Sequence, residues 1–413
     1  MINEFLSVAF LKAINRIILV PLAANKQKIC ILKTFSLVAT TLYGLEELLA
    51  KELNDIGASD IEILNRAVKF TGDLKVLYKS NLYLRTALKV LKPIADFKAY
   101  DEQQLYDGIK KIRWDDYISP SNTIAVDGTA YSQIFKHSKY VALKTKDAIV
   151  DRFREKFNVR PSVDVENPDL LINIHISETL CTVSLDSSGN HLGKRGYRQE
   201  QVFAPISETM AAGIIMLSGW DKKSDFIDPM CGSGTFPIEA ALIASNMAPG
   251  RLRNFAFEKW KDFDAILWKQ IKDESEKKIV PVKMKIKGSD NDRKAVRISI
   301  NNAERAGVKG IVEIDCKDFL KDDTITENSL IVMNPPYGER LEEEEGMISF
   351  YKEIGTKLKH FYMGCDAWII SGNLEAIKFV GLKPSRKIKL FNGPIECRLH
   401  KFQMYRGSKR RGD

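Results

Sequence analysis

Four consecutive residues, Asn334, Pro335, Pro336 and Tyr337, follow the apolar run Leu330–Met333 and could act on an exocyclic amine of a nucleobase. Such an amine is a weak nucleophile because its lone pair is delocalised into the ring. The Asn334 side-chain oxygen and the Pro335 carbonyl could accept its protons as the nitrogen attacks a methyl group. The rigid Pro-Pro geometry would hold that carbonyl outward, and Tyr337 could stack on a base taken out of its helix. The pattern predicts amino-group methylation.

A second group of residues lies where an apolar strand ends and the apolar helix containing IEAALIASNM begins. Glycines at such a turn let the backbone approach a ligand closely, and the helix N-terminus favours a carboxylate. A nicotinamide cofactor would also suit a glycine turn, but the full GxGxxG pattern is absent. The predicted cofactor-binding residues of this turn are Asp228, Cys231, Gly232, Gly234 and Thr235.

Two further carboxylates follow the next two predicted strands. Asp290 could accept two hydrogen bonds from a ribose diol; the alternative is a helix N-cap, a role that Asp292 could also fill. Asp318 could accept a hydrogen bond from an adenine amino group while Phe319 packs on the ring. An isolated acidic residue after a strand is more often a loop former. Together with Asn334, these positions predict a site for an adenosine-containing cofactor.

The elements that must hold these residues alternate between strand and helix from residue 205 onward, which predicts an α/β domain with a Rossmann-like parallel sheet. RKIKLFNG and ECRLHKFQMY predict an antiparallel hairpin at its edge. Upstream, the order is a strand, a helix, one strand over IEILNRAVKFTG and a helical segment, LKVLYKSNLYLRTALKVL. This order and the similar mixture after residue 101 predict an α+β half.

The chain of 413 residues has a formal net charge of +9, which favours a polyanionic partner. Basic residues concentrate between residues 136 and 160 and recur around Tyr197. A solvated helix face of mixed charge is the competing interpretation of the first cluster. The predicted RNA-binding residues are Lys136, Lys139, Lys144, Lys146, Arg195 and Arg198.

Six cysteines occur without a CxxC pair, and the five histidines do not cluster with them, so we expect no metal and reduced, buried thiols. No segment reads as a membrane span, and we expect a cytoplasmic protein. We predict these regions: a poorly ordered extension (1–33), a ferredoxin-like region (34–100), an RNA-binding region (101–187), a linker (188–204), a catalytic domain (205–407) and a basic tail (408–413).

The predicted site resembles that of class I methyltransferases with the NPPY signature of amino methyltransferases. From about Phe35, the chain resembles the THUMP-domain RNA methyltransferases, including the bacterial large-subunit guanine-N2 group. The matching segments are LVATTLYGLEELLAKEL, KYVALKTKDAIVDRF, SLDSSGNHLGKRGYR, DPMCGSGTFPIEAA and NPPYGERL. The resemblance implies an S-adenosylmethionine cofactor, a THUMP module that grips structured RNA, and transfer to guanine N2, with 23S rRNA favoured. Some members carry a second catalytic domain; this sequence ends at RGSKRRGD, so we expect one activity.

Several alternatives stay open at this point. The substrate could be tRNA, or the enzyme could be an N6-adenine methyltransferase acting on DNA. The catalytic domain could be vestigial in an RNA-binding assembly factor, although intact Asp228, Gly232 and Asn334 speak against decay. Methylation of cytosine carbon 5 would need a cysteine nucleophile beside the base, and no cysteine follows Pro335. The sequence leaves the oligomeric state open.

Overall fold

The computed structural model describes residues 33–199, 206–336 and 344–405, which form two large sheets with helices packed on them. The strands of the N-terminal sheet are β1 (Phe35–Thr41), β2 (Ser59–Leu64), β3 (Ala67–Gly72), β4 (Ala87–Lys98), β5 (Thr123–Tyr131), β6 (Ser162–Val163), β7 (Leu170–Ser177) and β8 (Leu180–Asp186). Its helices are α1 (Glu46–Asp55), α2 (Leu74–Tyr83), α3 (Glu102–Lys111) and α4 (Ser138–Phe157).

The N-terminal sheet runs without a break through the two α+β regions, in the order β2-β3-β1-β4-β8-β7-β5-β6. Strand β4 joins them because its first residues pair with β1 and its later residues pair with β8, both antiparallel. Leu37, Phe70 and Ile172 point into a common core with Leu77 and Phe153 of the helices. The mixed α/β class predicted from the sequence is therefore confirmed.

Two predicted elements of this half are wrong. The single strand expected over IEILNRAVKFTG is a hairpin of β2 and β3, which turns at Arg66 with a φ of 58°. The helix expected over LKVLYKSNLYLRTALKVL ends at Tyr83, and the remainder enters β4. The apolar periodicity of that segment suits a helix, but Val90 and Leu91 form ladder pairs with β1, and this pairing overrides the local preference.

The catalytic half contains a seven-stranded sheet in the order β11-β10-β9-β13-β15-β17-β16. Its strands are β9 (Phe226–Asp228), β10 (Ile286–Asp290), β11 (Val312–Cys316), β13 (Leu330–Met333), β15 (Asp366–Ser371), β16 (Arg386–Asn392) and β17 (Ile395–Gln403); β12 (Thr326–Glu327) and β14 (Tyr362–Met363) form a separate pair. Its helices are α5 (Glu208–Leu217), α6 (Thr235–Ala244), α7 (Ala265–Lys277), α8 (Arg293–Arg305) and α9 (Glu344–Phe361).

Strands β9, β10, β11, β13 and β15 are parallel, and β17 and β16 add the antiparallel edge that the sequence predicts. From β9 the chain continues to β10 and β11 on one side of the sheet, and it then crosses to β13 on the other side of β9. Open α/β sheets bind ligands at such a switch point, outside the carboxyl ends of the strands. Among the described residues, no helix is both long and apolar enough to cross a membrane.

The junction segment, residues 187–199, differs from the exposed linker that its glycines and serines suggest. Ser187, Ser188 and Arg195 are almost completely buried, and so is Tyr197. The Ser187 hydroxyl donates to the Val90 carbonyl at 2.7 Å, which fixes the segment against β4. The described part of the junction is thus packed chain rather than a solvated tether.

The aromatic insertion, residues 250–281, clamps the two halves together. The Phe257 ring stacks on Tyr78 of α2, with centroids 4.4 Å apart, and Trp268 meets Phe257 edge-on at 5.1 Å. The Lys261 ammonium donates to two carbonyls near the short 3-10 turn Trp114–Asp116, those of Asp115 and Ile118. The insertion therefore gives the catalytic domain a fixed orientation relative to the N-terminal sheet.

We predict that Phe257→Ala destabilises the protein by about 3–5 kcal/mol, because it leaves a cavity in the centre of this aromatic cluster. The matched control is Ile266→Ala in the same insertion, whose side chain is 75% exposed and should change stability by less than about 0.5 kcal/mol. Thermal unfolding of both variants tests the prediction. Equal melting temperatures would show that the aromatic contacts do not hold the halves together.

Candidate functional site

The predicted chemical residues meet at the switch point of the catalytic sheet. Asp228 ends β9, Asp290 ends β10, Asp318 follows β11 and Asn334 follows β13. Because these four strands are parallel neighbours, their carboxyl ends lie along one edge. The structure thus brings together the three cofactor signals and the NPP segment that the sequence separates by more than a hundred positions.

The Asp290 carboxylate fixes the glycine turn, residues 229–234. Its Oδ2 accepts the Gly232 N–H at 2.9 Å, and its Oδ1 accepts the Asp292 N–H at 3.0 Å. The helix N-cap belongs to Asp292, which accepts the Lys294 N–H at 2.8 Å. Asp290 stays partly exposed, and carboxylate oxygens can each accept more than one bond. It can organise the turn and still receive a diol.

Gly234 closes the turn in a conformation that needs glycine. Its φ is 81°, and a Cβ there would lie 2.2 Å from the Ser299 hydroxyl oxygen and 3.1 Å from the Ser299 Cβ. It is also the N-cap of α6 and provides no side-chain cap. The first N–H groups of α6 are therefore left for an anionic ligand to satisfy.

Asp228 and Cys231 are buried within the turn rather than open to a ligand. Asp228 is 1% exposed, and its carboxylate accepts the Met230 N–H at 3.1 Å. Burial raises the pKa of the Asp228 carboxyl well above its usual range; the Met230 hydrogen bond opposes this rise and the Asp290 carboxylate adds to it. Burial likewise raises the pKa of the Cys231 thiol. Both side chains shape the turn from behind.

The segment after β11 has one residue at the site and one in the core. Asp318 is one-third exposed at the side chain and accepts the Leu320 N–H at 3.0 Å. The prediction that Phe319 packs on a ligand ring is wrong. Phe319 is 4% exposed and packs beside Tyr362, with centroids 5.8 Å apart, because the core under the sheet takes up its ring.

The NPP segment follows β13 without an intervening turn. Pro335 is buried, whereas Asn334 and Pro336 are partly exposed at the end of the strand. Strand β13 is buried along its whole length between β9 and β15, so its end is a rigid support. The fourth predicted residue, Tyr337, lies outside the described residues.

The structure contradicts the prediction that Arg195 contacts RNA. Arg195 is 2% exposed, donates to the carbonyls of Leu192 and Arg85, and pairs with Glu239 of α6 at 3.5 Å. Arg198 is also largely enclosed, with 12% of its side chain exposed. The glycine-rich sequence suggested an exposed basic loop, but both side chains are buried because they pair with the buried carboxylates of Glu239 and Glu208. Glu239, an acid inside an otherwise apolar helix, was the signal that sequence reasoning missed.

The four predicted lysines differ in exposure. Lys136 and Lys139 are exposed where the chain enters α4. Lys144 lies over the Tyr106 ring at 5.3 Å, and Lys146 pairs with Asp147. Exposed Tyr131 ends β5 close in sequence to the first two lysines, with 67% of its surface accessible. This aromatic residue was not predicted, although its position beside a lysine run could have indicated it.

The described cysteines are free, and four of them are buried as expected. Cys316 is exposed, contrary to the expectation, because the end of β11 lies at the sheet edge. Within the described ranges, no group of three or more histidine, cysteine and acidic side chains could hold a metal ion.

Comparison with known proteins now decides the family. Residues 195–401 match the model of the RMKL-like methyltransferase domain, residues 99–186 that of the THUMP domain and residues 36–91 that of the RlmL ferredoxin-like domain. The chain belongs to the RMKL-like methyltransferase family. The predicted class I fold and THUMP-domain resemblance are confirmed.

Individual relatives of this RMKL-like chain cover it almost entirely. The Synechocystis protein slr0064 is 38% identical over 369 residues, which are 89% of this chain and 96% of that protein. Ribosomal RNA large subunit methyltransferase K/L of Syntrophotalea carbinolica is 39% identical over 89% of this chain, which spans only 53% of that relative. The protein SMU.472, crystallised with SAH, superposes with a TM-score of 0.81 at 33% identity over 91% of this chain and 99% of that one.

We predict that Gly234→Ala abolishes binding of S-adenosylhomocysteine, because the added Cβ would push the turn away from Ser299. Gly219→Ala is the matched control. Gly219 also has a positive φ, 70°, but open space surrounds its Cβ position. Isothermal titration calorimetry should show wild-type affinity for the control only. Tight binding by Gly234→Ala would show that the shape of the glycine turn does not matter.

Proposed function

We propose that this RMKL-like protein is a cytoplasmic, S-adenosylmethionine-dependent RNA methyltransferase that modifies the N2 amine of a guanine, with 23S rRNA as its substrate. The observation that carries the proposal is the placement of the NPP segment beside the glycine turn at one switch point. Two of the relatives named above support the proposal: one is named as a large-subunit rRNA methyltransferase, and the other was crystallised with SAH.

The residues present suit this cofactor. The uncapped start of α6 offers N–H groups to the methionine carboxylate, and Gly234 leaves space where any Cβ would meet Ser299. The partly exposed Asp290 would accept the ribose hydroxyls, and Asp318 would accept the adenine amine. Asp228 and Cys231 support the turn, while Gly232 is held by Asp290 and Thr235 begins α6. When bound, the cofactor supplies a methyl group on a sulfonium centre.

The protein's own contribution is to position the amine and to accept its protons. The Asn334 side-chain oxygen and the Pro335 carbonyl accept the two N–H bonds, which draws the nitrogen lone pair out of conjugation. Because Pro335 and Pro336 restrict the backbone, these acceptors are preorganised and cost little to align. With the cofactor bound, the nitrogen would form its bond to the methyl carbon as the carbon–sulfur bond breaks, and the surplus proton would pass from the nitrogen to solvent water. Tyr337 is proposed to stack on the base.

The RNA surface is proposed to include Lys136 and Lys139, with Tyr131 beside them and Lys144 and Lys146 further along α4. Exposed lysines neutralise phosphates, and an accessible aromatic ring can stack on an unpaired base. Arg195 and Arg198 are not part of this surface, because both side chains are largely buried.

We predict that Asn334→Ala lowers turnover by at least about 100-fold, since it removes one preorganised acceptor. Asn334→Asp keeps an acceptor oxygen and should retain more activity than the alanine variant. Both variants should bind RNA within about threefold of the wild type, because Asn334 directly follows a strand that is buried along its whole length. Normal turnover by Asn334→Ala would remove the NPP segment from the chemistry.

We predict that combined Lys136→Ala and Lys139→Ala weakens RNA binding. The slope of log affinity against log salt concentration should become shallower by about one to two, as expected for the loss of one or two phosphate contacts. Lys309→Ala is the matched control, since Lys309 is also exposed but pairs with Glu304 in the catalytic domain. Filter binding between low and moderate salt gives both slopes. Identical slopes for the double variant and the wild type would move the RNA surface elsewhere.

The substrate class is tested by incubating the protein with labelled S-adenosylmethionine and total RNA from cells that lack the protein. After fractionation, the proposal expects N2-methylguanosine in large-subunit rRNA. Label in tRNA would retain the chemistry and overturn the rRNA assignment. N6-methyladenosine in the RNA would overturn the guanine assignment.

A further inference from the structure

The side chain of Arg198 connects the junction segment to the glycine turn. Its Nη2 donates to the Thr235 hydroxyl at 2.6 Å and to the Ile206 carbonyl at 2.9 Å. Thr235 is the first residue of α6, directly after Gly234. The guanidinium therefore lies at the helix N-terminus that the turn presents to a ligand.

The other edge of the Arg198 guanidinium faces a buried acid. Its Nε lies 3.3 Å from Glu208 Oε1, and the two side chains are only 12% and 10% exposed. Glu208 is the first residue of α5. Arg198 thus joins the first turns of α5 and α6 and offsets a carboxylate that would otherwise repel an anion bound at α6.

The backbone that carries Arg198 is itself fixed. The neighbouring Tyr197 is 1% exposed, and its hydroxyl lies 3.1 Å from Glu239 Oε1 on α6. Arg195 pairs with the same carboxylate and also donates to the Arg85 carbonyl, which lies just before β4. Arg198 is therefore held from both halves of the molecule and directed at Thr235.

We propose that Arg198 is a positioning residue for the cofactor: by holding Thr235 and balancing Glu208, it keeps the start of α6 in the geometry that receives the methionine carboxylate. The inference rests on the proposed function, which places the cofactor at the glycine turn. A lysine cannot replace it, since one ammonium lacks the planar fork that reaches a hydroxyl, a carbonyl and a carboxylate together.

The test is S-adenosylhomocysteine binding by calorimetry, without RNA, to full-length Arg198→Lys and Arg198→Ala. Both should bind at least about tenfold more weakly, the scale of a lost charged hydrogen bond. In methyl-transfer assays the KM for S-adenosylmethionine should rise in parallel, while kcat at saturating cofactor stays within about threefold. Wild-type affinity in Arg198→Lys would overturn the positioning role.

Two further variants separate positioning from stability. Arg253→Ala removes an arginine that also ties buried chain together, through the carbonyls of Ser188 and Asn190, and should lower the melting temperature without changing cofactor affinity. Adding Glu208→Gln to Arg198→Ala removes the unpaired carboxylate and should restore stability. Cofactor binding should stay weak in that double variant because Thr235 is still not held. Restored binding would show that the Arg198 contact with Thr235 is not needed for cofactor affinity and would overturn the positioning role.

Failure of the inference can be distinguished from failure of the proposed function by Asp290→Ala. If Asp290→Ala loses S-adenosylhomocysteine while the Arg198 variants keep it, only the positioning role is overturned. If Asp290→Ala also binds as tightly as the wild type, the cofactor does not occupy the glycine turn, and both proposals are overturned.

Discussion

The site depends on one carboxylate. Asp290 accepts the Gly232 N–H from the glycine turn and the Asp292 N–H from the start of the following helix. These bonds tie the ends of β9 and β10 together, although 58 positions separate Gly232 from Asp290 along the chain. Together with the bond from the Cys231 N–H to the Ser289 carbonyl, at 2.8 Å, the Asp290 bond holds the glycine turn against the end of β10 and so fixes the start of α6 relative to Asp318 and Asn334.

A second constraint fixes the catalytic domain to the N-terminal sheet. The Phe257 and Trp268 rings of the aromatic insertion pack against Tyr78, and the junction segment is buried between the halves. Interfaces between domains of one chain are usually more polar and allow relative motion. Here the aromatic core and buried ion pairs favour a fixed spacing between the lysine surface and the switch point.

The sequence predicted the order of the catalytic elements because each chemical residue follows an apolar strand of distinct pattern. It failed where long-range pairing decided the structure. Strand β4 looks helical in isolation and becomes a strand because β1 and β8 flank it. Arg195 looks like a solvated cation in a glycine-rich loop, but Glu239, 44 positions later, draws it into the core. The aromatic insertion is recognisable from its composition, but the surface on which its rings pack is not, because Tyr78 lies far upstream in the sequence.

The central claim is that the protein methylates an amino nitrogen of guanine. The most direct measurement is transfer of a labelled methyl group to two otherwise identical RNA fragments, one with guanosine and one with inosine at the modified position. Inosine lacks only the 2-amino group, so the account predicts N2-methylguanosine in the first fragment and no label in the second. Equal labelling of the inosine fragment, or N7-methylguanosine in the first, would contradict it.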